Sequence, residues 1–145
     1  MGSRLPSKDA ILAACRGFPP IEDDPILDAA AELAVLHRTR EHTPICELEA
    51  IDGHRGRLMS SIDCWVRMVT PVPFAAARVH THTMGQVIDR LAQLTVLTYT
   101  ALSAAHDEVF YDSTDFLAEL ADGYEDLAEE LAQGIRRLPV TTTFP

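Results

Sequence analysis

IDGHRGRLMSSIDCWV, residues 51–66, is the stretch that decides the fold. Its apolar residues recur every three or four positions and form one stripe at about 100° per residue, which predicts a helix. Asp52 and Arg55 fall in or beside that stripe. Because an unpaired buried charge costs several kcal/mol, these charges must be paired or must face water or a ligand. The stretch therefore predicts a helix with a polar feature on its buried face.

The composition is that of one globular domain spanning residues 1–145, with loose ends at 1–6 and 139–145. The chain has 22 acidic and 12 basic residues and a net charge of -10. That charge argues against a nucleic-acid partner and against an anionic membrane surface, since both require clustered Lys and Arg. No apolar run reaches the roughly 18 residues of a membrane span.

The cysteines and the N-terminus predict a cytoplasmic protein. Cys15, Cys46 and Cys64 form no CxxC pair, and the last two lie on one predicted helix, too far apart to bridge. We therefore expect the three cysteines to be free thiols in a reducing compartment. The N-terminal apolar run is too short for a signal peptide. Lys8 is the only lysine and alanine is abundant, a bias typical of high-GC genomes such as those of actinobacteria.

Capping residues, Gly and Pro divide the chain into five predicted helices. The first four span residues 7–17, 24–42, 43–69 and 82–106. The fifth starts at Ser113 or Thr114 and ends at residue 137. Thr83 with Gln86 forms a capping box at the fourth. The inner face of the fifth is predicted as Phe116, Leu120, Tyr124, Leu127 and Leu131. Short breaks between long helices predict an all-α antiparallel up-down-up-down four-helix bundle with a short accessory N-terminal helix.

The second helix also carries a polar residue, His37, on its apolar line, with Glu41 one turn later. When residues are counted away from each turn between helices, polar side chains of four helices fall at the same height along the bundle axis. This predicted layer consists of His37, Asp52, Arg55, Thr95 and Tyr124.

Two interpretations of the layer stay open. It is either a satisfied network that fixes helix register or the wall of a cleft, where bundles commonly build sites. In the second interpretation Arg55 holds an anionic group of a ligand. His37, oriented by Asp52 or Glu41, then transfers a proton, so His37 and Asp52 are the catalytic candidates. Gly56 is a predicted point of close approach.

Other polar motifs are weaker. His80 and His82 form an HxH pair, but no third ligand follows at a fixed spacing, so neither a metal nor another cofactor is predicted. Asp89 and Arg90 are adjacent and should contact different neighbouring helices. No motif for nucleotide binding or nucleophilic catalysis occurs.

Residues 80–94, HTHTMGQVIDRLAQL, resemble the hallmark of an uncharacterised bacterial family of small helical proteins. That family has a Thr-x-Gly-x-x-Ile-Asp-Arg-Leu core. The matching residues are Thr83, Gly85, Ile88, Asp89, Arg90 and Leu91. An earlier family pattern is matched more loosely by Ile51, Asp52, Arg55, Ile62 and Asp63. The resemblance implies the helical fold over helices two to five and directs attention to Asp52, Arg55, Asp89 and Arg90, but it implies no reaction.

Three functions are consistent with these patterns. The first is a binding or accessory module for a small anionic molecule or a protein, with Arg55, Asp89, Arg90, Thr95 and Tyr124 as ligand contacts. Val96 and Leu97 offer it an apolar surface for a homodimer. The second is an enzyme that acts on an anionic metabolite through His37, Asp52 and Arg55. The third is a structural protein that docks through its acidic last helix.

Overall fold

Five α-helices make up most of residues 5–140, which the computed structural model describes. The helices are α1 Lys8–Cys15, α2 Pro25–Glu41, α3 Leu48–Val69, α4 Met84–Ser103 and α5 Asp107–Gln133. A 3₁₀ turn, Ile45–Glu47, precedes α3, and two short strands, β1 Arg78–Val79 and β2 Arg136–Arg137, pair in parallel. The predicted all-α class is confirmed. The ends predicted to be loose at residues 1–4 and 141–145 lie outside the described residues.

The predicted N-terminal caps are present. Ser7 and Asp24 each accept a backbone N–H from the first turn of the following helix, at 3.2 and 2.8 Å. Thr83 Oγ1 accepts the Gln86 N–H, and Gln86 Oε1 accepts the Thr83 N–H, so the capping box is complete. Each cap satisfies donors that the first turn leaves without an intrahelical partner. Along residues 5–140, no helix combines the length and apolar composition needed to cross a membrane.

The start of α5 differs from the prediction. The helix begins at Asp107 rather than at Ser113 or Thr114, and only residues 104–106 connect it to α4. Both hydroxyls donate to the Phe110 carbonyl, at 3.1 and 2.8 Å, so they bond back into the helix instead of capping it. Asp107 and Glu108 suit the first turn because their charges complement the helix dipole.

The end of α5 also differs. The helix stops at Gln133 because Gly134 takes a left-handed conformation, with φ of 75°. The predicted end at Arg137 was therefore four residues too late. Arg136–Arg137 instead pairs with Arg78–Val79, a strand pair that the sequence pattern did not predict.

The buried face of α5 is rotated from the prediction. Phe116 is 62% exposed, whereas Leu117 is 5% exposed. Tyr124, Leu127 and Leu131 are buried, as predicted. The difference arises because, among the helices, α5 contacts α4 and α1 but neither α2 nor α3 within the described residues. The residues that α5 buries against other helices are therefore those that face α4 and α1.

The core is organised around α4, which packs against all four other helices. The predicted accessory helix α1 contacts α2, α4 and α5 and buries Ile11 and Cys15. Leu5 and Pro6 were predicted to be loose, but Leu5 is buried and the Tyr124 hydroxyl donates to the Pro6 carbonyl at 2.6 Å. Burial raises the pKa of Tyr124. Leu5 is therefore part of the core.

α3 and α4 approach most closely at Gly85. A Cβ there would overlap the Met59 carbonyl oxygen and lie 2.9 Å from Asp63 Oδ1. The Gly85 N–H donates to the same carboxylate at 2.7 Å. The prediction of close approach at Gly56 was wrong, because a Cβ at Gly56 would meet nothing within 4 Å. Gly85 allows this contact because it has no side chain.

We expect Gly85→Ala to lower the free energy of unfolding by about 1–3 kcal/mol, the usual cost of overpacking. Gly123→Ala is the control, since a Cβ at that helical position meets nothing within 4 Å. It should raise the free energy of unfolding by about 0.5–1 kcal/mol through helix propensity. Urea titrations followed by circular dichroism measure both. A Gly85→Ala protein as stable as the wild type would contradict the close-approach argument.

Candidate functional site

A cluster of five charged or titratable side chains connects α2, α3 and α4 near the middle of the molecule. We call it the polar bridge; its members are His37, Arg40, Asp52, Arg55 and Asp89. Helical periodicity turns these side chains toward one another because each lies on the side of its helix that faces a neighbour.

Asp89 is the centre of the polar bridge. Its side chain is 12% exposed, and its Oδ1 lies 2.8 Å from His37 Nε2. Arg55 donates from Nη2 to Oδ2 at 2.6 Å and from Nε to Oδ1 at 3.2 Å. Burial opposes ionisation of Asp89, but the hydrogen bonds from His37 and Arg55 outweigh it and lower the pKa of the carboxyl. Asp89 is therefore a buried carboxylate with hydrogen-bond partners on two helices, one of them an arginine.

Asp52 extends the polar bridge toward solvent. Arg40 donates from Nε and Nη2 to its two oxygens, at 2.9 and 3.1 Å. Arg55 Nη1 donates to Oδ1 at 2.9 Å. These hydrogen bonds, those of Arg40 foremost, lower the pKa of Asp52 to about 2. Arg55 thus spans both carboxylates, and the two charges within residues 51–66 are paired.

Two residues of the predicted layer lie elsewhere. The Thr95 hydroxyl donates to the Leu91 carbonyl of its own helix at 2.8 Å, and the Tyr124 hydroxyl donates to Pro6. Glu41 accepts a hydrogen bond from the Thr100 hydroxyl at 3.2 Å. Placing Thr95 and Tyr124 in one layer with Arg55 was wrong. A hydroxyl can be satisfied by a nearby carbonyl, whereas a charged group requires a charged partner.

Asp89 and Arg90 were predicted to contact different neighbouring helices, but the hydrogen bond of Arg90 is to a residue of its own helix. Asp89 is buried between α2 and α3, while Arg90 is exposed and donates from Nη1 to Gln93 Oε1 at 2.6 Å. The prediction that Asp52 or Glu41 orients His37 was wrong, because Asp89 holds its Nε2. Helix α4 lies against both α2 and α3, so its carboxylate reaches both.

Sequence reasoning missed Arg40 as a member of the polar bridge. It lies off the apolar line of α2, so periodicity gave no reason to select it. The available signal was its position three residues after His37, which places the two side chains on neighbouring parts of one helix face. Its bidentate contact with Asp52 depends on how α2 meets α3.

A cleft of about 180 Å³ opens between α2 and α4 beside the polar bridge. It is lined by His37, Arg40, Glu41, Arg90, Gln93, Val96 and Leu97. Within residues 5–140 every fully buried side-chain nitrogen and oxygen has a hydrogen-bond partner. His37 lines this cleft, and its Nδ1 is not fully buried and makes no hydrogen bond to a described residue. Val96 and Leu97 were predicted to form an apolar dimer surface. Val96 is buried and Leu97 is 40% exposed, so of this pair only Leu97 offers apolar surface to a partner.

The arrangement holds Nε2 of His37 in a hydrogen bond and leaves Nδ1 without one. A carboxylate on Nε2 sets the orientation of the imidazole and favours a proton on that nitrogen. Nδ1 is then available to accept a hydrogen bond or a proton from a molecule in the cleft, and protonated His37 would donate one. Arg40 and Arg90 lie at the same cleft with N–H groups beyond those used on Asp52 and Gln93.

His80 and His82 lie just before α4, with ring centroids 6.2 Å apart. The His82 N–H donates to His80 Nδ1 at 3.1 Å, and Thr81 Oγ1 lies 2.9 Å from His82 Nδ1. In the part of the chain that the structure describes, no group of three or more His, Cys, Asp or Glu side chains is arranged to hold a metal ion.

Residues 43–140 match the family described as "Protein of unknown function (DUF4254)". The match covers about two thirds of the chain, from just before the 3₁₀ turn through α3, α4 and α5. It includes Asp52, Arg55 and Asp89 but not His37 or Arg40. Comparison with curated proteins and with solved structures found no match.

We expect Arg55→Met to lower the free energy of unfolding by about 3 kcal/mol, because it leaves Asp89 buried with one charged partner fewer. The Arg55→Met, Asp89→Leu double variant should recover part of that loss, since it removes both buried charges. Arg90→Met, at an exposed position beside Asp89, is the control and should change stability by less than about 0.5 kcal/mol. Equal stabilities of Arg55→Met and Arg90→Met would show that the polar bridge does not hold the helices together.

The lowered pKa of Asp52 predicts a pH dependence of stability. In the folded protein this carboxyl stays ionised down to about pH 2, but in the unfolded chain only to about pH 4. Its contribution is therefore present above about pH 4 and is lost as the pH falls from 4 to 2. Asp52→Asn should flatten the loss of stability in that range. Asp126→Asn, at an exposed position on α5 without an ion pair to a described residue, should leave it as steep as in the wild type.

Proposed function

We propose that this chain, which belongs to the DUF4254 family of proteins of unknown function, is a cytoplasmic binding module for a small anionic metabolite. The ligand would enter the cleft between α2 and α4. The observation that supports this proposal is His37, which lines a cleft together with two arginines, with its Nε2 held by Asp89 and its Nδ1 without a hydrogen bond to a described residue. The cleft volume of about 180 Å³ suits a carboxylate or phosphate group with a few further atoms.

The charges at the cleft favour an anion. Arg40 and Arg90 are positive, Glu41 is negative, and His37 is neutral or positive, so the lining has a net positive charge in a chain of net charge -10. Guanidinium groups bind carboxylate and phosphate oxygens through paired N–H donors. Arg90 has more of its donors left for a ligand than Arg40, since Arg90 uses only Nη1, on Gln93, whereas Arg40 uses Nε and Nη2 on Asp52.

Arg55 has a positioning role in this proposal rather than the ligand contact expected from the sequence. Its Nε, Nη1 and Nη2 all donate to Asp52 or Asp89. Holding Asp89 in place fixes His37, so Arg55 acts through two other residues.

We also propose that α2, α3, α4 and α5 run up-down-up-down. The pairing of Arg55 with Asp89 and of Asp63 with Gly85 supports opposite directions for α3 and α4.

An enzyme is the second candidate, favoured by the same His37–Asp89 pair. A carboxylate that orients an imidazole is a common arrangement for a general base. In this version His37 Nδ1 removes a proton from the anionic metabolite in the cleft. The substrate would be held by Arg40 and Arg90, with His37 as the catalytic residue and Asp89 as its positioning residue.

A melting-temperature screen against small phosphorylated and carboxylated metabolites tests the binding proposal. Compounds that stabilise the wild type should stabilise Arg90→Met much less, because that variant removes one of the two guanidinium groups that line the cleft. Arg38→Met is the matched control, an exposed arginine on α2 that does not line the cleft, and should respond like the wild type. Stabilisation of Arg90→Met equal to that of the wild type for every hit would refute the proposal.

His37→Gln separates binding from catalysis. Glutamine can donate to Asp89 through its amide but cannot exchange a proton at neutral pH. A binding module should retain its affinity within a few fold, measured by calorimetry with the strongest hit of the screen. An enzyme should lose turnover by about 10²-fold or more while retaining much of that affinity.

A further inference from the structure

A second cavity, of about 330 Å³, shares no lining residue with the cleft proposed above. It forms between the C-terminal part of α3, residues 71–73, the end of α5 and residues 137–140. The cavity exists because α3 and α5 both pack on α4 but, in the described residues, not on each other. At about 30 Å³ per water-sized group, it has room for roughly ten such groups.

The walls of this cavity are mostly apolar. They are supplied by Val66, Pro71, Val72, Pro73, Leu131, Leu138, Pro139 and Val140. Val66 and Leu131 are buried core residues, so the floor is fixed by the packing of α3 and α5 onto α4. Apolar walls with a few polar groups are the usual composition of small-molecule sites.

The polar residues that line the cavity are Asp63, Arg67, Thr70, Thr83 and Arg137. Arg67 is exposed and makes no hydrogen bond or salt bridge to a described residue. Arg137 donates from Nη2 to the Phe74 carbonyl at 3.0 Å and retains its other N–H groups. Two guanidinium groups therefore line an apolar cavity in a chain with a large negative charge.

The remaining charged group of the cavity is Asp63, which is half-buried. Oδ1 accepts the Gly85 N–H at 2.7 Å. Burial raises the pKa of Asp63, although the Gly85 N–H and the Thr83 hydroxyl act against that rise. The cavity thus has a net positive charge, which disfavours a cationic ligand and favours an anionic one.

We propose that this cavity binds a small carboxylic acid with an apolar body. Arg67 and Arg137 hold the carboxylate at the mouth, and Val66, Leu131 and Leu138 contact the body. This site is separate from the cleft at His37, shares no lining residue with it, and takes a more apolar class of ligand.

Calorimetry with octanoate on the full chain tests this proposal. Octanoate should bind saturably, while 1-octanol and n-octylammonium, which carry the same chain without the negative charge, should bind at least tenfold more weakly. Arg67→Met and Arg137→Met should each weaken octanoate binding by tenfold or more. Arg57→Met, an exposed arginine on α3 outside the cavity, and Arg90→Met, at the other cleft, should leave it unchanged.

Asp63→Asn gives an independent check. Asparagine retains an oxygen for the Gly85 N–H but removes the negative charge, so octanoate should bind this variant more tightly at pH 7. Circular dichroism melts establish that each variant is folded, and Arg67→Met, at an exposed helical position, has no structural reason to unfold. Absence of saturable octanoate binding, unchanged affinity in Arg67→Met, or equal binding of n-octylammonium would overturn the proposal.

Discussion

The buried carboxylate of Asp89 is the constraint on which the arrangement of the helices depends. An ionised group with 12% of its side chain exposed requires partners, and it has them on two helices, His37 on α2 and Arg55 on α3. These partners can meet Asp89 in only one register of α2 and α3 on α4. The hydrophobic core supplies most of the driving force for folding, but apolar packing alone is compatible with shifted registers. The polar bridge selects one.

The contact at Gly85 also fixes how α3 and α4 pack, one turn of α4 before Asp89. The Asp63 carboxylate caps the start of α4, and the missing Cβ allows the two backbones to approach. Together the Arg55–Asp89 and Asp63–Gly85 pairs fix both the spacing and the register of α3 on α4. These residues are also those that carry the sequence resemblance. The motif is therefore explained by the packing of two helices, independently of any ligand.

The central position of α4 has a functional consequence. Because α3 and α5 pack on α4 but, in the described residues, not on each other, an opening remains between them, and another lies between α2 and α4. The opening between α2 and α4 is small and polar, with His37 and Arg90 in its wall. The opening between α3 and α5 is larger and mostly apolar, with its charges at Asp63, Arg67 and Arg137. The two sites differ in the chemistry they would select, although one helix supports both.

The sequence by itself determined the helical class, the caps at Ser7, Asp24 and Thr83, and the presence of buried charge at Asp52, Arg55 and His37. Each depends on neighbours within a few residues or on the 3.6-residue period. Only the tertiary structure decided that Asp89 joins His37 and Arg55 while Thr95 and Tyr124 do not, and that Gly85 rather than Gly56 is the point of close approach. Periodicity states which side of a helix is buried. Which side chains meet across that face depends on the spacing and register of several helices, and those are set by contacts between residues distant in the chain.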